Sequence, residues 1–154
     1  MSETTTPHPA DVARRIVDAN AYLTLATVDP NGQPWATPVW FAHDDYRTFF
    51  WVSRPGTRHS QNIDTTAAVG IVIFDSTLPS SQATAVYLEA VAEEVPAADR
   101  TAALAVFNDR SLVWKQPPWQ VTDVTEPAPH RLYRATAKVT HVLGAGDKRV
   151  EVTL

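Results

Sequence analysis

Apolar residues recur at two different periods along the chain, and each change of period marks the boundary of an element. After Pro9-Ala10-Asp11, the pairs Val12/Ile16 and Ala13/Val17 lie four residues apart, which puts each pair on one helical face and predicts a helix from Pro9 to about Asn20. From Tyr22 the period becomes two and the residues become β-branched and aromatic, which predicts strands over 22–28 and 34–42. Asp29-Pro30-Asn31-Gly32 separates them. Proline presets one turn angle and Asn-Gly accepts positive φ, so the two strands are expected to form an antiparallel hairpin.

A polar turn at His43-Asp44-Asp45-Tyr46 precedes a strand over 48–52, which stops at Ser53-Arg54-Pro55-Gly56, where a short helix over 57–63 begins. Residues 67–74 are apolar on both faces, as in a central strand. Over 86–95 the apolar parity shifts from Val86/Leu88 to Val91/Val95, the pattern of a bulge or a bent barrel strand. Helical spacing returns over 97–110 in Ala103/Phe107 and Ala102/Val106, with Asp99 in the first turn facing the positive end of the helix dipole. Residues 111–129 hold four prolines, Trp114 and Trp119, and follow no regular pattern; a long irregular stretch inside a compact domain is usually functional or packed against a partner. Strict alternation over 131–143 sets Tyr133, Ala135, Ala137 and Val139 on one face and Arg134, Thr136 and Lys138 on the other. A Gly144-Ala145-Gly146-Asp147 turn leads to a last strand over 149–154. About seven strands and three helices joined by short turns predict a mainly β (α+β) fold, its sheet mostly antiparallel and closed into a barrel. Residues 1–8 read as a flexible N-terminus and 9–154 as one domain, the usual number at 154 residues.

Composition narrows the function classes. With 44% hydrophobic and 19% charged residues the chain can bury a core. Thirteen Lys+Arg against seventeen Asp+Glu leave a formal charge of −4, which offers no general attraction to nucleic acid or an anionic membrane. The longest apolar run, 67–74, is far short of the ~20 residues that span a bilayer. The first residues lack the basic start and apolar stretch of a secretory signal, so the expected location is cytoplasmic. Cysteine is absent, which excludes disulfides, thiolate metal centres and cysteine nucleophiles. The five histidines (His8, His43, His59, His130 and His141) contain no pair two or four apart, so no metal site is expected. Gly-x-Ser-x-Gly, Walker and Gly-x-Gly-x-x-Gly motifs are missing, which removes the main support for hydrolase, nucleotidase and Rossmann readings. The adjacent acids Asp44-Asp45 and Glu93-Glu94 fall at expected turns and strand ends, where solvated charge is the ordinary explanation.

One constellation carries chemistry. Ser53-Arg54-Pro55-Gly56-Thr57-Arg58-His59 lies where a strand hands over to a helix, so hydroxyls, two guanidiniums and free helix N–H groups can converge on a phosphate. The plainer reading is a surface loop whose arginines face Asp64 or water. Aromatic strands lie on either side, Pro34-Trp35-Ala36-Thr37-Pro38-Val39-Trp40-Phe41 and Phe49-Phe50-Trp51-Val52. Taken alone they are ordinary core; beside a phosphate clamp they form a wall for a phosphorylated planar ring.

These segments, with Tyr22-Leu23-Thr24-Leu25-Ala26-Thr27, Asn62-Ile63 and the later strand Val86-Tyr87-Leu88-Glu89-Ala90-Val91-Ala92-Glu93-Glu94, resemble the pyridoxamine 5′-phosphate oxidase-like flavin-binding split barrels in order and spacing over most of residues 10–154. The resemblance implies an antiparallel split β-barrel with Greek-key-like topology, a homodimer, and FMN at two sites in the subunit interface. It implies that Ala36, Thr37, Pro38, Val39 and Trp40 face the ring by their backbone, that Trp51, Val52 and Ser53 reach its flank, and that Arg58 holds the phosphate with help from Ser53, Arg54 and Thr57. Many members carry Arg-Lys where this chain has Arg58-His59, so a permanent charge gives way to a group that can be neutral at cellular pH. The chain ends at Val152-Thr153-Leu154 without the arginine- and histidine-bearing C-terminal segment of the specialised oxidases, so the expected activity is a different one: two-electron redox chemistry on a small molecule with FMN or a deazaflavin coenzyme. A non-catalytic flavin- or haem-binding or storage protein is the alternative, haem being the less expected because no histidine stands out as its axial ligand. Trp114, Pro117, Pro118 and Trp119 either lid the ring or plug the barrel end or dimer seam. Gln82 is a possible flavin hydrogen-bonder, and His59 and Tyr87 are the nominees for an acid or base.

Overall fold

The computed structural model describes residues 6–154. His8 caps the first helix, α1 (Pro9–Ala19), its Nδ1 accepting from the Ala10 N–H at 3.3 Å. The strands are β1 (Tyr22–Val28), β2 (Pro34–Trp40), β3 (Ala42–Asp44), β4 (Thr48–Ser53), β5 (Ala68–Phe74), β6 (Ala85–Glu94), β7 (Arg131–Leu143) and β8 (Arg149–Glu151), with α2 (Arg58–Thr65) after β4 and α3 (Arg100–Val113) after β6. Short 3₁₀ turns occupy Ser80–Gln82, Val121–Val124 and Ala145–Asp147. Every strand pairing is antiparallel, in the order β2-β1-β5-β6-β7-β4-β3, with β8 on the far end of β7.

The turn chemistry acts as expected in the first hairpin. Asp29 Oδ1 accepts from the N–H groups of Asn31 (2.8 Å) and Gln33 (2.9 Å), and Gly32 sits at φ 82° where a side chain is disfavoured. Residues 34–42, expected as one strand, instead change partner at Phe41: the first part pairs with β1 and the part after it with β4. Since β2 and β3 are the two ends of the sheet order, this bent segment joins the ends of the curled sheet. Leu23, Leu25, Val39, Phe41, Phe49, Trp51, Ile71, Ile73, Val86 and Tyr133 fill the interior, and α1 closes on it with Ala13, Ile16 and Val17.

The bulge is real but lies in the other strand. Glu89 pairs with Val139 and Ala90 with Ala137, leaving Lys138 without a partner, so β7 carries the extra residue and its parity shifts there. Val139 therefore leaves the face of Tyr133 and Ala135, and Thr140 and Val142 turn inward. In β6 the inward side stays with Val86, Leu88, Ala90 and Ala92, while Val91, read as inward from its bulk, is exposed. The third helix starts three residues later than its spacing suggested, because Pro96 to Asp99 first form a turn; the Asp99 carboxylate accepts from Arg134 at 2.9 Å rather than capping the helix.

A second core lies outside the barrel. The helix α3 covers the outer side of β3, β4 and β7 with Ala103, Leu104 and Phe107, against Ala42, Phe50, Leu132, Val95 and Val124. Arg110 ties that helix to α1 by donating to the carbonyls of Val17 (3.3 Å) and Asn20 (2.7 Å), where unpaired helix-end carbonyls favour a cation. No helix among the described residues is long and apolar enough to cross a membrane.

Candidate functional site

Along β2 and β4 the pleat sends alternate side chains outward. Beyond the region covered by the body of α3, this outer surface forms one wall of a cavity of about 590 Å³. Pro38, Trp40 and Val52 on that outer face supply the sheet wall with the first residue of β1, Tyr22, and the buried Val39 and Ser53 border it between them. Phe107 and Ser111 from α3 and the chain that follows it, Gln116, Pro117, Pro118 and Trp119, supply the opposite wall. Trp40 and Phe107 meet edge to face at 5.1 Å and close the inner end where the outer core begins.

His59, on the first turn of α2, completes the lining. Its Nε2 lies 2.8 Å from Ser53 Oγ and 3.2 Å from Thr57 Oγ1. Thr57 Oγ1 in turn lies 3.0 Å from the Arg54 carbonyl oxygen and 2.8 Å from Ser60 Oγ. The Thr57 hydroxyl proton has two acceptors in reach, the Arg54 carbonyl and Ser60 Oγ, and which partner donates at His59 Nε2 follows the tautomer of the ring. Burial holds the His59 pKa below the usual histidine value, which keeps the ring neutral at neutral pH. Behind this group burial pushes the Tyr133 phenol up, against a hydrogen bond from Ser60.

Among the described residues no Asp, Glu, Lys or Arg lines the cavity. Both arginines of the motif are exposed and stand outside it, and neither makes an ion pair among the described residues. The Arg58 guanidinium lies over the Trp35 ring, 4.7 Å from its centre.

Of the twelve residues singled out for a cofactor, Pro38, Val39, Trp40, Val52, Ser53 and His59 meet at the cavity, and Thr57 supports His59 from behind. Ala36 lies on the open outer face of the sheet, in register with Ala26, and Thr37 is half-buried between it and Pro38. The Trp51 side chain is inside the barrel, stacked on Tyr133 with ring centres 5.9 Å apart. Gln82 and Tyr87 are not part of the cavity; the Arg149 guanidinium lies over the Tyr87 ring. Trp119, Pro117 and Pro118 line it, whereas Trp114 stacks with Arg110 instead. Tyr22, Phe107, Ser111 and Gln116 were not foreseen. The i, i+4 spacing of Phe107 and Ser111 put them on one helical face, but nothing local said that this face met the outside of the barrel.

A curled antiparallel sheet with a neutral, aromatic-walled cavity on its outer surface is the build of a split barrel. Residues 10–142 match the model of the pyridoxamine 5′-phosphate oxidase family, and the chain belongs to that family. Among curated proteins no sequence matches it. Solved structures share the fold at low identity. A haem-binding protein from Mycobacterium smegmatis is 20% identical with a TM-score of 0.75, over 97% of this chain and 60% of that one, so this chain spans about three fifths of its length. An FAD-binding protein from Mesorhizobium loti is 19% identical, with a TM-score of 0.63 over 88% of this chain and 94% of that one. An F420 reductase is 20% identical, with a TM-score of 0.61 over 88% and 98%.

Proposed function

We propose that the protein is a homodimeric oxidoreductase that holds FMN, or a deazaflavin coenzyme, in this cavity and moves two electrons to or from a small molecule. The observation that carries the reading is the division of the site into a neutral part and a charged part. Walls from Trp40, Phe107, Trp119 and the two prolines, with no formal charge among them, suit an uncharged planar ring, because an unpaired charge buried there would cost several kcal/mol, on the order of the penalty for any buried ion. Two guanidiniums stand just outside, on the same strand-to-helix passage, where a phosphate tail can remain in solvent and still meet Arg54 and Arg58. Ser53 and neutral His59 lie between the two regions as hydrogen-bonding groups. A bound flavin or deazaflavin supplies the electron-pair chemistry, and the protein supplies position, charge and exclusion of water.

Haem fits less well. His59 is the one histidine lining the cavity, and its Nε2 is already engaged by two hydroxyls at 2.8 and 3.2 Å, which an iron ligand would have to give up.

Support for the homodimer comes from the outer face of β2, β1, β5 and β6. Ladder rows Ala36–Ala26–Gly70 and Pro38–Thr24–Val72–Tyr87 are small or apolar, and charge enters only at their β6 ends, with Glu89 in the first row and the Arg149 guanidinium over Tyr87 in the second. This face runs into the cavity through Pro38 and through Tyr22, which is 58% exposed, so a second copy laid on it would also cover the open side of the site. The proposed compartment is the cytoplasm, in keeping with a chain free of cysteine.

The test is a titration of the purified protein with FMN, with the deazaflavin and with haemin, read by ligand fluorescence or absorbance and by quenching of tryptophan emission, alongside the mass in solution. Saturable binding of one flavin-type ligand per chain by a dimer is the expected result. A Soret band with no flavin binding would transfer the site to the haem alternative.

A further inference from the structure

The outer wall of the cavity is made by a segment that cannot hold itself in place. After α3 the chain runs through Lys115, Gln116, Pro117, Pro118 and Trp119, and the two prolines have no N–H to offer. It is therefore fixed at its ends. At the near end the N–H groups of Lys115 and Gln116 donate to the carbonyls of Leu112 (3.1 Å) and Ser111 (2.7 Å), with Lys115 in the left-handed region at φ 54°. At the far end Asn108 does the work of a neighbouring strand. Its Nδ2 donates to the Trp119 carbonyl at 2.8 Å, and the Trp119 N–H donates to its Oδ1 at 2.9 Å. One side-chain amide thus satisfies both backbone groups of the residue whose ring lines the cavity, and that ring is also set edge-on against His130 at 5.1 Å.

Asn108 follows Phe107 and precedes Ser111 by three, so little more than one helical turn carries a wall residue, the clamp and the near anchor. We infer that Asn108 is a positioning residue that fixes Pro117, Pro118 and Trp119 as the outer wall of the cofactor cavity and thereby sets the affinity for the planar ring. This rests on the reading that the cavity takes a flavin-type ligand. An asparagine suits the task because its planar amide sets an N–H donor beside a carbonyl acceptor, matching a peptide group. An aspartate keeps the acceptor but turns a second oxygen toward the Trp119 carbonyl; an alanine removes both bonds.

The experiment compares wild type, Asn108→Asp and Asn108→Ala by hydrogen exchange at the Trp119 amide and by FMN affinity from flavin fluorescence. Exchange at Trp119 is expected to quicken at least tenfold in Asn108→Ala and less in Asn108→Asp, while the β1 and β5 amides keep their wild-type rates. FMN affinity should fall in the same order, about tenfold for Asn108→Ala. A merely structural role would lower the melting temperature and raise exchange along all of α3 with the affinity unchanged, and that outcome overturns the proposal. So does wild-type exchange at Trp119 in Asn108→Ala, or in Asn108→Asp should the alanine variant not fold. Wild-type protein that binds neither flavin nor deazaflavin, while Trp119 exchange still depends on Asn108, would sink the functional reading and the affinity part of this proposal but not the clamp.

Discussion

Replacing Arg58 by alanine tests where the phosphate of a bound cofactor lies, and its cost can be worked from the geometry. A charge-assisted hydrogen bond to phosphate contributes about 1.5–3 kcal/mol. The Arg58 guanidinium, however, lies over Trp35 at 4.7 Å, and an exposed contact of that kind is worth roughly 0.5–1 kcal/mol that must be surrendered if the arginine turns to a phosphate. The difference, about 0.5–2.5 kcal/mol, corresponds to a loss of roughly 2- to 60-fold in FMN affinity, with the lower end favoured at high salt because the group is exposed. Arg54 has no such ring contact, so Arg54→Ala should cost at least as much. Trp35→Leu frees the Arg58 guanidinium and should tighten FMN by up to about fivefold, the equivalent of the contact removed. Riboflavin, which has the same ring and no phosphate, is the control: its affinity should not respond to either arginine. Fluorescence titrations of both ligands against wild type, the single variants and the double variant decide the matter. Equal weakening of riboflavin and FMN, or no change for either in the double variant, would refute the assignment of the tail to these two residues.

Phe107→Ala removes a buried ring that meets Trp40 edge-on, so unfolding in urea should show a loss of about 3–5 kcal/mol, the usual range for a core phenylalanine. Gly32→Ala places a side chain at φ 82°, where open space surrounds the new methyl but the backbone is strained, and should cost about 1–2 kcal/mol in the same assay without altering ligand affinity. His59 is held neutral by burial, so its pKa in the folded chain lies below the unfolded value of 6.5. Between those two values the unfolded chain binds the extra proton, so this stability is fully present above pH 6.5 and is lost as the pH falls through the folded value. Denaturation midpoints of wild type should therefore drop more between pH 7.5 and 5 than those of His59→Gln; parallel profiles would show that His59 is not the group responsible.

How far the sequence could be read depended on whether the deciding force was local. Asp29-Pro30-Asn31-Gly32 forces its turn wherever it sits, and the alternation of Leu23, Leu25 and Thr27 against Thr24 and Ala26 needs only one buried face, so the hairpin was legible in place and register. The break at Phe41 was not, because Trp40, Phe41 and Ala42 form an unbroken apolar run and the chain bends there only to exchange β1 for β4 as its partner. The bulge was sensed and misplaced for a related reason. Val91 looked inward on bulk, yet it is Ala90 and Ala92 that the interior accepts, and the parity change belongs to Lys138, whose neighbours alternate without a visible fault.

The site shows the same division more sharply. Six of the twelve expected residues line the cavity because they lie on two strands and a helix start that any folding of this motif would bring together. The arginines drew attention by charge, yet they lie outside an uncharged cavity, where a guanidinium with no carboxylate to accompany it would give up its hydration without compensation. Of the opposite wall, Pro117, Pro118 and Trp119 were read as a lid or a plug, while Phe107, Ser111 and Gln116 were not read: their place depends on α3 lying over the outside of the barrel rather than plugging its end, and on one asparagine amide holding a proline-rich segment across the gap. Within the barrel, pattern specifies burial, and so sequence specifies structure. On its outer surface the walls come from segments about eighty residues apart, such as Trp40 and Trp119, and only the packed chain determines what they enclose.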